Sequence, residues 1–281
     1  MEGIGRTLAV YRLRDTVQFL GLPLLGAVYF GGLSLLGLLL GLISVTCYLS
    51  HIYGFNNWWD RSQDSADKNV FAKGSFSGLN ALLILALPVI VALAAAAVMS
   101  RVHFWMLAVM FVLSAGYSAP PLRLKSRKAL GFLTNALLFA PLFFYGISSE
   151  NFSTSGIPLV FCIFFAFNIL VMEILQELQD VEEDKHAGIN SIPNWIGVQK
   201  SRWLALIGLA VQVVFAFVLW RLGLDGKLLP LATAGFAALA VVMCLSSWGR
   251  AEQNPKRLRI RMRYLTALFG TVVLVGRYWA S

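Results

Sequence analysis

Polar positions in this chain gather in short clusters between long apolar runs. The runs are Val17–Phe30, Leu35–Phe55, Leu79–Met99, Phe104–Ala119, Leu130–Ser148, Ile157–Leu175, Trp203–Trp220, Leu229–Trp248 and Tyr264–Trp279. None alternates polar and apolar residues in the manner of a half-buried strand. Several reach the ~20 residues a helix needs to cross a bilayer. The pattern predicts an all-α integral membrane protein with about nine transmembrane helices, the first and fourth being short. Met1–Asp15 reads as a short basic leader to the first helix.

Composition supports the same class. Of 281 residues, 58% are hydrophobic and only 13% charged, where a soluble domain carries about 25% charge. So few polar residues cannot cover a soluble surface, and a disordered or small secreted chain is excluded as well. Cys47, Cys162 and Cys244 stand singly inside apolar runs; they suggest buried small hydrophobes, with no zinc or disulfide spacing.

Charge orients the helices. With nine spans, the N-terminus and the even-numbered links share one face. All 23 Lys and Arg residues except Arg101, Arg221, Lys227 and Arg277 fall on that face, which the positive-inside rule makes cytoplasmic. The net charge of +9 then needs membrane lipid as its partner and no nucleic acid.

Two polar clusters do not look like ordinary helix ends. In "GFNNWWDRSQDSADKN", Asn56, Asp60 and Asp64 stand at i, i+4 and i+8. They drift by only about 40° per step, so they share one face where the second span ends. In "MEILQELQDVEEDKHAGINSIP", Glu173, Glu177, Asp180 and Asp184 again fall within about 60° of one another. Acids inside or beside a membrane are costly and repel each other, so both clusters call for a cation or stay partly protonated. Asp60 and Asp180 are separated by the same number of residues as Asp64 and Asp184. That spacing suggests two fused four-helix units plus a ninth helix, each unit carrying an acidic end to the same membrane face. Carboxylates in this number suit Mg²⁺ shared with substrate phosphates. "YSAPPLRLKSRK", with Arg123, Lys125, Arg127 and Lys128, adds a clamp for phosphate oxygens.

These residues resemble the motifs of the UbiA superfamily of intramembrane prenyltransferases. The first motif, N-x-x-x-D-x-x-x-D, stands as Asn56–Asp64; the second, D-x-x-D-x-x-x-D, stands as Glu177–Asp184. Tyr117–Lys125 resembles the family's basic loop, and Ala187–Pro193 the segment after the second motif. The resemblance spans nearly the whole chain as a single membrane domain. It implies Mg²⁺-dependent transfer of a prenyl group from a prenyl diphosphate to an aromatic, tetrapyrrole or lipid-type acceptor. Asn56, Asp60, Asp64, Glu177, Asp180 and Asp184 would then hold two Mg²⁺ ions, and Asp60, Asp64, Asp180 and Asp184 would be catalytic. Lys68, Lys73, Tyr117, Arg123 and Lys125 would hold the diphosphate. Three departures are visible: Glu177 replaces an Asp, Glu183 stands where many members have Gly, and "NVFAKG" (Asn69–Gly74) lacks the usual Arg-Pro pair.

An ion-coupled transporter and a non-catalytic isoprenoid-diphosphate binder remain as alternatives. Placement at the cytoplasmic edge speaks against the first, and the intact acids against the second. Trp58 and Trp59 suit interfacial anchoring. His51 reads as a packed core residue, His186 as a surface one, and Gly37-x-x-x-Gly41 as a site of close helix approach. The basic run Lys256–Arg263 suits lipid headgroups.

Overall fold

The computed structural model describes residues 8–64, 69–74, 76, 78–154, 156–186, 188–223, 227–248 and 255–280. Among these, every regular element is helical: α1 (Leu13–Thr16), α2 (Gly21–Phe30), α3 (Leu35–Asp60), α4 (Gly78–Met99), α5 (Arg101–Ser118), α6 (Ala129–Phe139), α7 (Ser149–Thr154), α8 (Ile157–His186), α9 (Ile192–Ile196), α10 (Val198–Arg221), α11 (Leu228–Trp248) and α12 (Pro255–Ala280). Six stretches are long and apolar enough to cross a membrane: α3, α4, residues 129–146, the 157–182 part of α8, α10 and α11. The expected count of nine spans is therefore reached only in part. The first run is a shorter helical stretch, Val17–Phe30. The fourth and ninth form helices α5 and α12 but do not meet the same length and hydropathy requirement.

The chain divides into two compact units. One comprises Met1–Leu124 with Pro141–Ser155, the other Lys125–Ala140 with Gly156–Ser281. In the first, α3 packs along α4 and against α5; in the second, α8 packs on α6, α10 and α12. The run expected as one helix over Leu130–Ser148 changes at Ala140–Gly146 to a tighter 3₁₀ segment. Pro141 supplies the reason, because it lacks an N–H and its ring crowds the carbonyl one turn back.

Helix α4 shows how these elements pack. Ala81, Ala92, Ala95 and Ala96 are buried, while Leu83, Leu87, Ile90 and Val98 are more than half exposed. Small residues turn inward and large apolar ones outward, the arrangement of a helix in lipid. Glycines do the same for the 3₁₀ segment in the first unit. A Cβ on Gly41 would overlap the Tyr145 carbonyl oxygen, and one on Gly26 that of Phe143; one on Gly146 would strike Pro23 O of α2. A Cβ on Gly37, paired with Gly41 in the sequence motif, would meet first the side chains of Leu33 and Ser34 of its own neighbourhood in the chain. Only Gly41 of that pair supports a close approach between segments. His103 is buried in the same unit: its ring contacts Ser100 Oγ at 2.8 Å and the Ile147 carbonyl at 3.1 Å. Tyr145 Oη donates to the His103 carbonyl at 2.8 Å. The free cysteines behave as expected, with Cys162 and Cys244 buried and Cys47 half-buried.

Helix length places the acids. α3 has 26 residues and α8 has 30, about 39 and 45 Å at ~1.5 Å per residue. Each outruns the ~30 Å hydrocarbon core. The N-terminal part of each is predominantly apolar, and Asn56 and Asp60 of the first motif and Glu177–Asp184 of the second occupy the excess.

Candidate active site

In the first unit, Asn56 and Asp60 lie on the last turns of α3, both half-buried, and Asp64 is exposed one turn beyond its end. Protein groups hold all three. Ser118 Oγ donates to Asn56 Oδ1 at 3.3 Å. The Arg123 guanidinium lies 3.1 Å from Asp60 Oδ1, with side chains 25% and 14% exposed. The same guanidinium donates to Gln63 Oε1 at 2.6 Å. Arg123, expected to hold diphosphate, thus rests on a motif carboxylate.

Sequence reasoning missed Asn69. It is fully buried. Its Nδ2 donates to the Asn57 carbonyl at 2.7 Å and to Asp64 Oδ2 at 2.9 Å, and its Oδ1 accepts from Phe71 N–H at 2.9 Å. Asn57 O is one of the four carbonyls that the end of α3 leaves without a helical partner. One amide therefore closes the helix and holds the last motif acid. The signal was an Asn, donor and acceptor at once, standing just past the motif where the family pattern has other residues. Arg61 caps similarly, donating to Trp58 O at 2.6 Å while its guanidinium lies 4.0 Å over the Trp58 ring. Trp58 also packs edge-on against Phe71.

The remaining expected contacts of this unit vary. Tyr117 is half-buried near the end of α5, two turns of chain before Arg123; Lys73 is exposed beside Gly74. Lys68 lies outside the described residues. His51 is the packed residue the sequence suggested: Nδ1 donates to the Leu85 carbonyl at 2.8 Å, and the ring stacks on Phe55.

In the second unit, Glu173, Glu177, Asp180 and Asp184 are half-buried along one face of α8. Glu177 Oε2 accepts from Ile192 N–H at 2.9 Å. The α8 end is closed by backbone: Ile189 N–H donates to Asp184 O at 2.8 Å, and Gly188 N–H to Lys185 O at 3.2 Å. Gly188 sits at φ 68, a left-handed conformation that suits glycine. His186 is exposed, as expected, with Nδ1 donating to Glu182 O. Lys125 is half-buried in the 3₁₀ turn Leu124–Ser126 that precedes α6.

Among the described residues, no three His, Cys, Asp or Glu side chains converge as a ready-made metal cage. The donor set on each helix is oxygen alone, spaced one turn apart. That fits Mg²⁺, which binds through one or two carboxylates and completes its shell with water and substrate phosphate.

Comparison with known proteins narrows the chemistry. The profile of the UbiA prenyltransferase family matches residues 19–269. A lycopene elongase/hydratase of Halobacterium salinarum is 29% identical over 82% of this chain and 79% of its own length. A digeranylgeranylglyceryl phosphate synthase of Methanosarcina mazei is 26% identical over 52% of this chain and 51% of its own. Among solved structures, a UbiA homologue from Archaeoglobus fulgidus bound to GPP and Mg²⁺ superposes with a TM-score of 0.74 at 19% identity. That match covers 96% of this chain and 98% of the other. A structure of digeranylgeranylglyceryl phosphate synthase gives 0.75 at 16% identity, covering 99% of both chains. These structural likenesses establish the fold.

Proposed function

Because this chain belongs to the UbiA prenyltransferase family, and is a membrane prenyltransferase by that membership, we propose that it transfers a prenyl group from an allylic prenyl diphosphate to a lipid-type acceptor with Mg²⁺ as cofactor. One observation carries the reading: the motif acids of α3 and α8 stand where each helix outruns its apolar stretch. Asp60, Asp64, Asp180 and Asp184 would hold the metal, with Asn56 as a neutral oxygen donor. Bound there as two ions, Mg²⁺ would neutralise the diphosphate and make it a better leaving group.

The chain's own side chains do the rest. Lys125 and Arg123 hold phosphate oxygens that no metal takes, and Lys73, with Lys68 as the resemblance implies, adds positive charge for the diphosphate. Tyr117 offers a hydroxyl to the same group. The C1–O bond of the donor breaks as charge passes to the diphosphate, and the acceptor attacks C1. The positive-inside bias puts this chemistry on the cytoplasmic face. Two relatives suggest acceptor classes: the polyene named by the lycopene elongase, and the glyceryl phosphate lipid named by the synthase.

The test is incubation of purified protein with Mg²⁺, a panel of prenyl diphosphates and each acceptor class, with mass analysis of products. Prenylated product that disappears in chelator supports the reading. Donor binding with no product from any acceptor would leave a binding protein in its place.

A further inference from the structure

We propose that Glu177 is a positioning residue for the basic turn rather than a ligand of the metal. Its carboxylate pins the segment after the second motif, and that segment holds residues 125–128. The inference rests on the functional reading above and corrects one of its expected ligands.

The first link is the carboxylate itself. Glu177 Oε2 accepts from the N–H of Ile192, the first residue of α9. That N–H belongs to the first turn of a helix, where no backbone acceptor exists. Glu173, Asp180 and Asp184 all lie close enough to repel a charge on Glu177. The Ile192 N–H gives one carboxylate of this crowded cluster a fixed neutral partner.

The second link is the segment. It is tied to α8 at three levels: through Ile189 N–H to Asp184 O, through Glu177 to Ile192, and through Asn194 Nδ2 to Val181 O at 3.4 Å. Ser191 and Ile192 are 3% and 5% exposed. Of these ties only Glu177 reaches from a side chain of α8, one turn deeper than Asp180.

The third link leads to the clamp. Asn190 pairs with Arg127 in a parallel β-bridge and donates to Ser126 O at 3.5 Å. The Lys128 ammonium lies 5.6 Å over the Trp195 ring, within cation–π range. The segment therefore grips both Ser126 and Lys128, and Lys125 is the residue before Ser126, in the turn Leu124–Ser126. If the strut is removed, the turn loses one of its supports while the other acids stay in place.

The charge-neutral isostere separates the two roles, because a glutamine can accept the Ile192 hydrogen bond but is a poor Mg²⁺ ligand. Full-length Glu177→Gln, Glu177→Ala and Asn190→Ala would be compared with the parent protein. Amide exchange of residues 188–196 and calorimetric binding of inorganic pyrophosphate across a Mg²⁺ titration are the readouts. Glu177→Gln should keep exchange protection and leave the Mg²⁺ midpoint within about twofold. Glu177→Ala should raise exchange in that segment and weaken pyrophosphate about tenfold, the equivalent of ~1.4 kcal/mol, at an unchanged Mg²⁺ midpoint. Asn190→Ala should weaken pyrophosphate similarly without touching an acid. A tenfold rise in the Mg²⁺ midpoint for Glu177→Gln would restore Glu177 as a ligand and overturn the proposal. Unchanged protection in Glu177→Ala would overturn it too. Should Glu177→Ala fail to fold, the Gln variant and Asn190→Ala still decide. Should the parent protein bind no Mg²⁺-pyrophosphate, the functional reading fails, and amide exchange alone tells whether Glu177 pins the segment.

Discussion

The ends of α3 and α8 carry the same kind of motif and are finished with different shares of side chain and backbone. At α3 side chains take two of the last carbonyls, Asn69 on Asn57 O and Arg61 on Trp58 O, Arg123 lies on Asp60, and the Gln63 and Asp64 N–H groups take Asp60 O. At α8 the backbone closes it, through Ile189 and a left-handed Gly188. The consequence is a difference in what a ligand must displace. A metal arriving at Asp60 competes with a guanidinium already there. At α8, Glu177 accepts the Ile192 N–H, one turn before Asp180.

The comparison can be broken first at its strongest point. Asp60→Ala and Asp180→Ala should each lower turnover by about 10²–10³-fold, the range for deleting one preorganised electrostatic group, while leaving a folded protein. Product formation under saturating Mg²⁺ measures this, and near-normal turnover in both would end the idea that the two ends hold the catalytic metal. Next comes Asn69→Ala. It strands a buried carbonyl and a buried N–H, so thermal or denaturant unfolding should show a loss of about 1–3 kcal/mol. The Mg²⁺ requirement should rise as well, because Asp64 loses its anchor; a stability loss alone would reduce Asn69 to a helix cap.

A subtler outcome concerns Arg123→Ala, whose effect should change sign with the ligand. Without donor, Mn²⁺ should bind about threefold more tightly, because Asp60 no longer has a competing cation. With geranyl diphosphate present, donor affinity should fall about tenfold, as a charge-assisted contact is lost. Paramagnetic detection of free Mn²⁺ and donor titration read the two arms, and a change of the same sign in both would sink the competition. The smallest effect expected is that of Lys73→Ala. Its side chain is exposed, so its attraction is screened and donor affinity should weaken by no more than about threefold.

What could be read from the chain beforehand was what depends on neighbours in sequence. Helical register within four residues is local, so the common faces of Asn56, Asp60 and Asp64, and of Glu177, Asp180 and Asp184, were visible. So was the core character of His51. Asn69 was missed because its three bonds depend on the chain turning back after α3, which no periodicity encodes. His103 was missed because Ile147 and Tyr145, its partners, lie far along the chain. The shift to 3₁₀ geometry at Ala140 was legible in Pro141, but the apolar run around it masked the signal. The pairing of Arg123 with Asp60 was hidden because a cation near acids reads equally well as a phosphate clamp and as an ion pair.

The glycines at 26, 41 and 146 extend the story beyond the acids. Each receives or presents a carbonyl where a methyl group would collide. A saturation-mutagenesis map of this protein should therefore show intolerant columns at these three glycines, outside the acidic motifs, each rejecting even alanine. Such columns are usually interpreted as hidden function. Here they would mark the spots where main chain lies against main chain, and any attempt to recode the exterior of this protein could exchange the large outward residues of α4 for other apolar ones while leaving those three untouched.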